Sequence, residues 1–148
     1  MKPTRKYANI VNVKLVVAER VASFQVNSPK QVAEFVWPYF ETSPVEVFAV
    51  LLLNSANGVV GFSEVTKGIL NSSLVHPREI FQRAILANSA SIILVHNHPS
   101  GNLEPSSEDQ RITKQLVEGG IILGIPVVDH VILTGPTTYS SFSEKGLI

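Results

Sequence analysis

The chain of 148 residues contains no cysteine. That absence excludes a disulfide framework and any thiolate metal site, gives no reason to expect an oxidising compartment, and obliges any metal to use histidine and carboxylate. Long apolar runs are missing as well. The longest uninterrupted one, Val47 to Leu53, falls far short of the roughly 20 residues that a membrane-spanning helix needs, and the polar, lysine-interrupted N-terminus has no signal-peptide core. A cytoplasmic protein with no membrane partner is expected. Twelve Lys and Arg balance twelve Asp and Glu, and the mild cluster at Lys2, Arg5, Lys6, Lys14 and Arg20 is not the basic stripe that duplex nucleic acid calls for, so tight binding to nucleic acid is not expected. Repeats, low-complexity stretches and interdomain linkers are also lacking. The length suits one domain able to bury a core without covalent staples.

What is present centres on Ser91 to Asp109. Ser-Ile-Ile-Leu-Val bounded by a Pro/Gly loop predicts a buried strand that delivers His96-Asn97-His98 at its C-terminal end. Strand side chains alternate faces, so both imidazoles project to one side and Asn97 to the other. Asp109 follows at the start of the next helix. A His, His, carboxylate set leaves a fourth zinc position open to water, which suits catalysis better than a structural clamp. Two strand histidines can equally be satisfied by backbone and neighbours. Ser106-x-x-Asp109 ahead of Arg111, Ile112, Leu116 and Val117 also matches a capping box. Ser106 can serve both purposes, whereas Asp109 is expected to serve one or the other. The helix dipole keeps a carboxylate in the first turn ionised, as a ligand requires.

Taken in order, Asn9 to Phe24 alternates loosely between apolar and polar residues and predicts one extended segment after a frayed tail. Residues 1–27 are therefore read as an N-terminal extension with one strand, and 28–148 as the domain. Ser28-Pro29 opens a helix that buries Val32, Phe35 and Val36 and ends near Pro38 to Phe40. Glu46 directly precedes the apolar run Val47 to Leu53, a strand covered on both faces. Asn57-Gly58 gives a tight turn to a partner strand carrying Val59, Val60, Phe62 and Val65. Glu46 alone would be a solvated strand end, and Glu64, the competing acid, reads as solvent-facing.

Asn71 to Glu79 leads into a helix reaching about Asn88, with Ile80, Phe81, Ala84 and Ile85 inward. Ser72 and Ser73 either line a groove or shape the turn, and His76 suits a cap or surface position. The Ser106 helix runs to about Leu123 despite Gly119 and Gly120, and ends at Gly124 with Pro126 beyond. Val127 to Leu133 is a last strand, in which Asp129 and His130 are either outer-shell partners of a metal ligand or a hydrogen-bonded structural pair. Tyr139 to Ile148 closes the chain, anchored by Tyr139 and Phe142.

Glu46, His96-Asn97-His98, a seven-residue interval, then Ser106 and Asp109 together resemble the JAB/MPN metalloprotease pattern. The likeness is nearer to its RadC group, whose signature is similar to Asn71 through Glu79, His96-Asn97-His98-Pro99-Ser100-Gly101, and Gly124-Ile125-Pro126 through Asp129-His130. The resemblance covers about Ser28 to Phe142. It implies an α/β fold, a three-layer sandwich with a mixed sheet similar to cytidine deaminases, and one zinc per chain on His96, His98 and Asp109. Glu46 would then act as general base and Ser106 as oxyanion donor, in hydrolysis of a peptide or isopeptide bond. The helix-hairpin-helix DNA-binding region that precedes this part in full-length RadC relatives has no counterpart in these 148 residues, so an association with DNA is less expected. The intervals are also too short for the insertions with which deubiquitinating relatives grip ubiquitin.

A different class of function, a DNA-repair-associated protein with a structural or vestigial metal, would need no general base, and Glu46 is present. Three adjacent residues do not make an HNH nuclease, whose residues are dispersed over a ββα unit. A deaminase would need a cysteine pair. Histidine and carboxylate ligands accept manganese or iron as well as zinc.

Overall fold

The computed structural model describes residues 1, 6–68 and 75–148. The elements follow in the order α1 (Pro29–Phe40), β1 (Val47–Leu53), β2 (Val59–Lys67), α2 (Pro77–Leu86), β3 (Ser91–Asn97), α3 (Ser107–Leu123), β4 (Val127–Leu133) and β5 (Tyr139–Ser141). Among the described residues the strands form one five-stranded mixed sheet, ordered β2-β1-β3-β4-β5. Every neighbouring pair is antiparallel except β3 with β4, which run parallel because α3 carries the chain back across the sheet between them. No described helix is long and apolar enough to cross a membrane.

β1 is buried at all seven positions, as a continuously apolar strand must be when both sheet faces are covered. Alternation divides its side chains between two cores. Val47, Ala49, Leu51 and Leu53 join Ile93, Val95, Val131 and Leu133 beneath Val32, Ala33, Val36 and Phe40 of α1. Phe48, Val50 and Leu52 join Ile92 and Leu94 on the opposite face, beneath Ile80, Phe81 and Ala84 of α2 and Ile112 and Leu116 of α3. The result is the expected three-layer α/β sandwich. The same alternation along β3 turns His96 toward α3 and Asn97 toward α1.

The ends of α3 explain its length. Ser106 caps the N-terminus, and Gly124 adopts the left-handed conformation at φ 70° to close the C-terminus. Gly120 is required by close approach, since a Cβ there would lie 2.5 Å from the Ile125 carbonyl oxygen.

Four expectations are corrected. Residues 6–23 are exposed and form no strand, and Gln25 makes only an isolated bridge to Gly58. Alternation does not order a segment whose backbone lacks a neighbouring edge to bond. The β1–β2 connection is wider than a two-residue turn: Asn54 Oδ1 accepts from the Ala56 and Gly58 N–H groups, and Asn57 sits at φ 60°. Ile85 is 55% exposed, because the buried face of α2 is made by Ile80, Phe81 and Ala84. The closing segment contains a strand after all, the three residues of β5 paired to Val131–Leu133.

Candidate metal centre

β3 ends where α3 begins, so the carboxyl end of one strand and the amino end of one helix meet at a single point, the usual place for a site in a sheet of this kind. His96 and His98, two residues apart on β3 and its extension, share a face. Asp109 occupies the third position of α3. His96 Nε2 lies 3.2 Å from Asp109 Oδ1, His98 Nε2 lies 3.2 Å from Asp109 Oδ2, and the two Nε2 atoms are 2.9 Å apart. All three side chains are buried. With metal–ligand bonds of about 2.0–2.1 Å and tetrahedral angles, ligand atoms stand about 3.3 Å from one another. The donor set therefore fits one ion.

The proton positions follow from the far side of each ring. The Thr113 hydroxyl donates to the Asp109 carbonyl oxygen at 2.6 Å, so at 2.6 Å it accepts from His130 Nδ1. His130 Nε2 must then carry a lone pair, which accepts from His96 Nδ1–H at 2.7 Å. His98 Nδ1–H donates to the Asn102 carbonyl oxygen. In their neutral forms, both rings thus turn an Nε2 lone pair toward each other and toward a carboxylate. Three electron-rich groups converge on one point, which is a demand for a cation.

Where no ion is bound, Nε2–H groups of the two rings take its place and face the carboxylate. Burial opposes ionisation of Asp109, yet hydrogen bonds from His96 and His98, the charge on His96 and the Ser106 N–H hold its carboxyl far below the usual range. Burial also opposes protonation of His98, but the hydrogen bonds to Asp109 and Asn102 and the charges of Asp109 and Glu46 outweigh it and raise its pKa. His130 is driven well below 6.5, by burial first and then by the charge on His96. It stays neutral, as the relay through Thr113 requires. Phe142 stacks on its ring with centroids 4.6 Å apart, and Phe48 meets it edge-on.

Asp109 does not choose between its two expected roles. Ser106 Oγ accepts from the Asp109 N–H at 3.0 Å while Asp109 Oδ2 accepts from the Ser106 N–H at 2.8 Å, a complete capping box. The same carboxylate faces both histidines. Capping therefore fixes the orientation of the ligand.

Glu46 stands at the rim, its side chain one-third exposed and its Oε1 4.0 Å from His98 Nε2. It lines, with His98, Ser106 and Asp109, an open groove of about 740 Å³. All five sequence-predicted site residues thus come together. Of the two candidate outer-shell residues, only His130 reaches a ligand. Asp129 instead ties down the closing segment, accepting from Ser141 Oγ at 2.6 Å and Ser143 N at 2.9 Å. His76 is the α2 cap residue without a side-chain cap bond, and Glu64 is exposed as expected. Ser72 and Ser73 lie outside the described residues. Two participants escaped sequence reasoning: Thr113, whose only signal was its place four residues after Asp109 on α3, and Asn97.

A family model described as RadC-like JAB domain matches residues 26–147. A UPF0758 protein of Salinibacter ruber is 49% identical over 124 residues, covering 84% of this chain and 53% of that protein. A UPF0758 protein of Desulfitobacterium hafniense is 50% identical over 123 residues, 83% of this chain and 54% of its own length. One from Methanosarcina mazei is 43% identical over 124 residues, 84% and 54% of the two chains. The chain thus spans about half the length of these relatives.

Proposed function

Since this chain belongs to the RadC-like JAB domain family, we propose that it is a metal-dependent hydrolase acting on an amide bond, either a peptide bond or an isopeptide to a lysine side chain. One ion per chain, zinc in this proposal, is held by His96, His98 and Asp109. The observation that carries the reading is the convergence of two Nε2 lone pairs and one carboxylate within 2.9–3.2 Å of one another, beside an open groove.

When bound, the ion supplies Lewis acidity to the carbonyl and to water in the groove. Everything else falls to the chain. Asp109 neutralises part of the charge, and the two rings are held in register by Nδ1–H bonds to His130 and to the Asn102 carbonyl. Glu46 takes a proton from the attacking water and returns it to the departing amine nitrogen, a role that needs a carboxylate in reach of the site and of solvent. Ser106 Oγ already accepts from the Asp109 N–H, so its own hydrogen is available to donate to the carbonyl oxygen as that atom gains charge. The substrate enters as an extended peptide along the groove between Glu46 and Ser106.

Mass spectrometry of a library of linear peptides and peptides branched through a lysine side chain tests the reading, with zinc-loaded protein, chelated protein and no protein run in parallel. New termini produced by the loaded protein alone support it. Identical spectra in all three samples would overturn it.

A further inference from the structure

The residue between the two histidines faces the other way and is bonded on its own account. Asn97 is buried and turned to the α1 side of the sheet, away from the ligands. Both ends of its amide are engaged across to the neighbouring strand. Oδ1 accepts from the Val47 N–H at 2.7 Å, and Nδ2 donates to the Val45 carbonyl oxygen at 3.1 Å. The two backbone groups it grips flank Glu46 in sequence. Regular pairing of β1 with β3 stops at Phe48 opposite His96, so the Asn97 side chain carries the ladder one step further, where the backbone no longer does. From the other side, the Gly68 N–H donates to the Glu46 carbonyl oxygen at 2.8 Å. Glu46 is thereby fixed by its backbone on both flanks while its side chain reaches the groove.

We propose that Asn97 is a positioning residue for Glu46: a bidentate side-chain clamp on the backbone around the proton-transfer acid, built into the same strand that presents both imidazoles. This rests on the hydrolase reading and extends it to a residue that touches neither ion nor substrate. The physical consequence is a fixed relation between acid and ligands. Any shift of β3 moves His96, His98 and, through Asn97, Glu46 together. A side-chain amide is suited to the task because it offers one acceptor and one donor in a plane, matching an N–H and a C=O two residues apart. Aspartate keeps the acceptor and loses the donor, and alanine loses both.

The test is a double-mutant cycle on cobalt-loaded protein, read from the pH inflection of the visible absorption band, with cobalt stoichiometry and circular dichroism recorded for each variant. Removing a charge within about 4–6 Å moves a neighbouring ionisation by about one pH unit. Glu46→Gln is therefore expected to shift the inflection by about that much while retaining one cobalt per chain. Asn97→Ala is expected to shift it in the same direction with cobalt retained, and to add nothing in the Glu46→Gln background. Asn97→Asp adds a charge whose direct effect is the same in both backgrounds, so the part of its shift that disappears in the Glu46→Gln background is the measure. That part should be smaller than for alanine, and it carries the cycle if the alanine variant does not fold. An inflection unmoved in the Asn97 variants, or shifts that sum in the double variant, overturns the clamp while leaving the hydrolase reading standing. An inflection unmoved by Glu46→Gln removes Glu46 from the chemistry and the clamp with it.

Discussion

His96 Nδ1 and His130 Nε2 are 2.7 Å apart on parallel neighbouring strands, and both rings are fully buried. Through that bond and Thr113, the tautomer of a ligand on β3 is set by the carbonyl oxygen of another ligand on α3. Two of the three ligands are thus linked through one relay, and His98 is held separately by the Asn102 carbonyl oxygen.

Thr113→Val keeps the shape of the side chain and removes the hydroxyl. His130 Nδ1–H is left buried without an acceptor, which is expected to cost about 1–3 kcal/mol of stability in urea denaturation. Zinc affinity, measured by competition with a chromogenic chelator, should fall by about 10- to 100-fold, as for loss of other outer-shell partners. Unchanged affinity would show that the His96 tautomer does not depend on the relay.

Ser106→Ala separates the two roles of that serine. Loss of the cap should lower stability by about 1 kcal/mol. Hydrolysis should fall on the order of 10²- to 10³-fold through loss of the oxyanion donor. Zinc should remain at one per chain, since Asp109 Oδ2 still accepts from the backbone N–H of residue 106. An activity loss no larger than the stability loss explains would limit Ser106 to capping.

Glu46→Gln should bind zinc as wild type does and lose hydrolysis by about 10²- to 10⁴-fold, the usual worth of a positioned acid–base group. Peptide-library spectra and elemental analysis on the same sample check both halves. Hydrolysis at the wild-type rate would transfer the proton step to another group.

Stability of the chelated protein should peak close to pH 6.5. His130 is depressed below its ordinary 6.5, so its contribution is present above that pH and is lost as pH falls toward its folded value. His98 is raised above 6.5, so its contribution is present below that pH and is lost as pH rises through its folded value. Zinc should abolish the alkaline decline, because a ligating His98 is neutral. Urea midpoints between pH 5 and 9, with and without zinc, measure this. A midpoint that rises steadily to pH 9 without zinc would contradict it.

Much of this was legible in the sequence because local rules and tertiary demands coincide. Val47 to Leu53 has no polar residue to place, so it is a buried strand wherever it lies in the sheet. His96 and His98 share a face by strand alternation alone, and Ser106, Asp109 and Gly124 mark the ends of α3 by their own chemistry. What escaped depends on partners far along the chain. Asn97 bonds to backbone groups 50 and 52 residues away, and no periodicity encodes that. Asp109 was expected to cap or to ligate because a sequence counts one residue, whereas a carboxylate has two oxygens with several lone pairs. The three residues of β5 are too few to show a pattern, and Asn9 to Phe24 shows a pattern that meets a strand edge only at its end, where the Phe24 carbonyl oxygen accepts from the Val59 N–H.

The metal stoichiometry of the purified protein tests the centre most directly, measured by elemental analysis after dialysis against zinc and then against zinc-free buffer. The expected result is one zinc per chain for wild type and for Glu46→Gln, and none for Asp109→Ala. Full occupancy in Asp109→Ala, or none in wild type, would contradict a centre built from His96, His98 and Asp109.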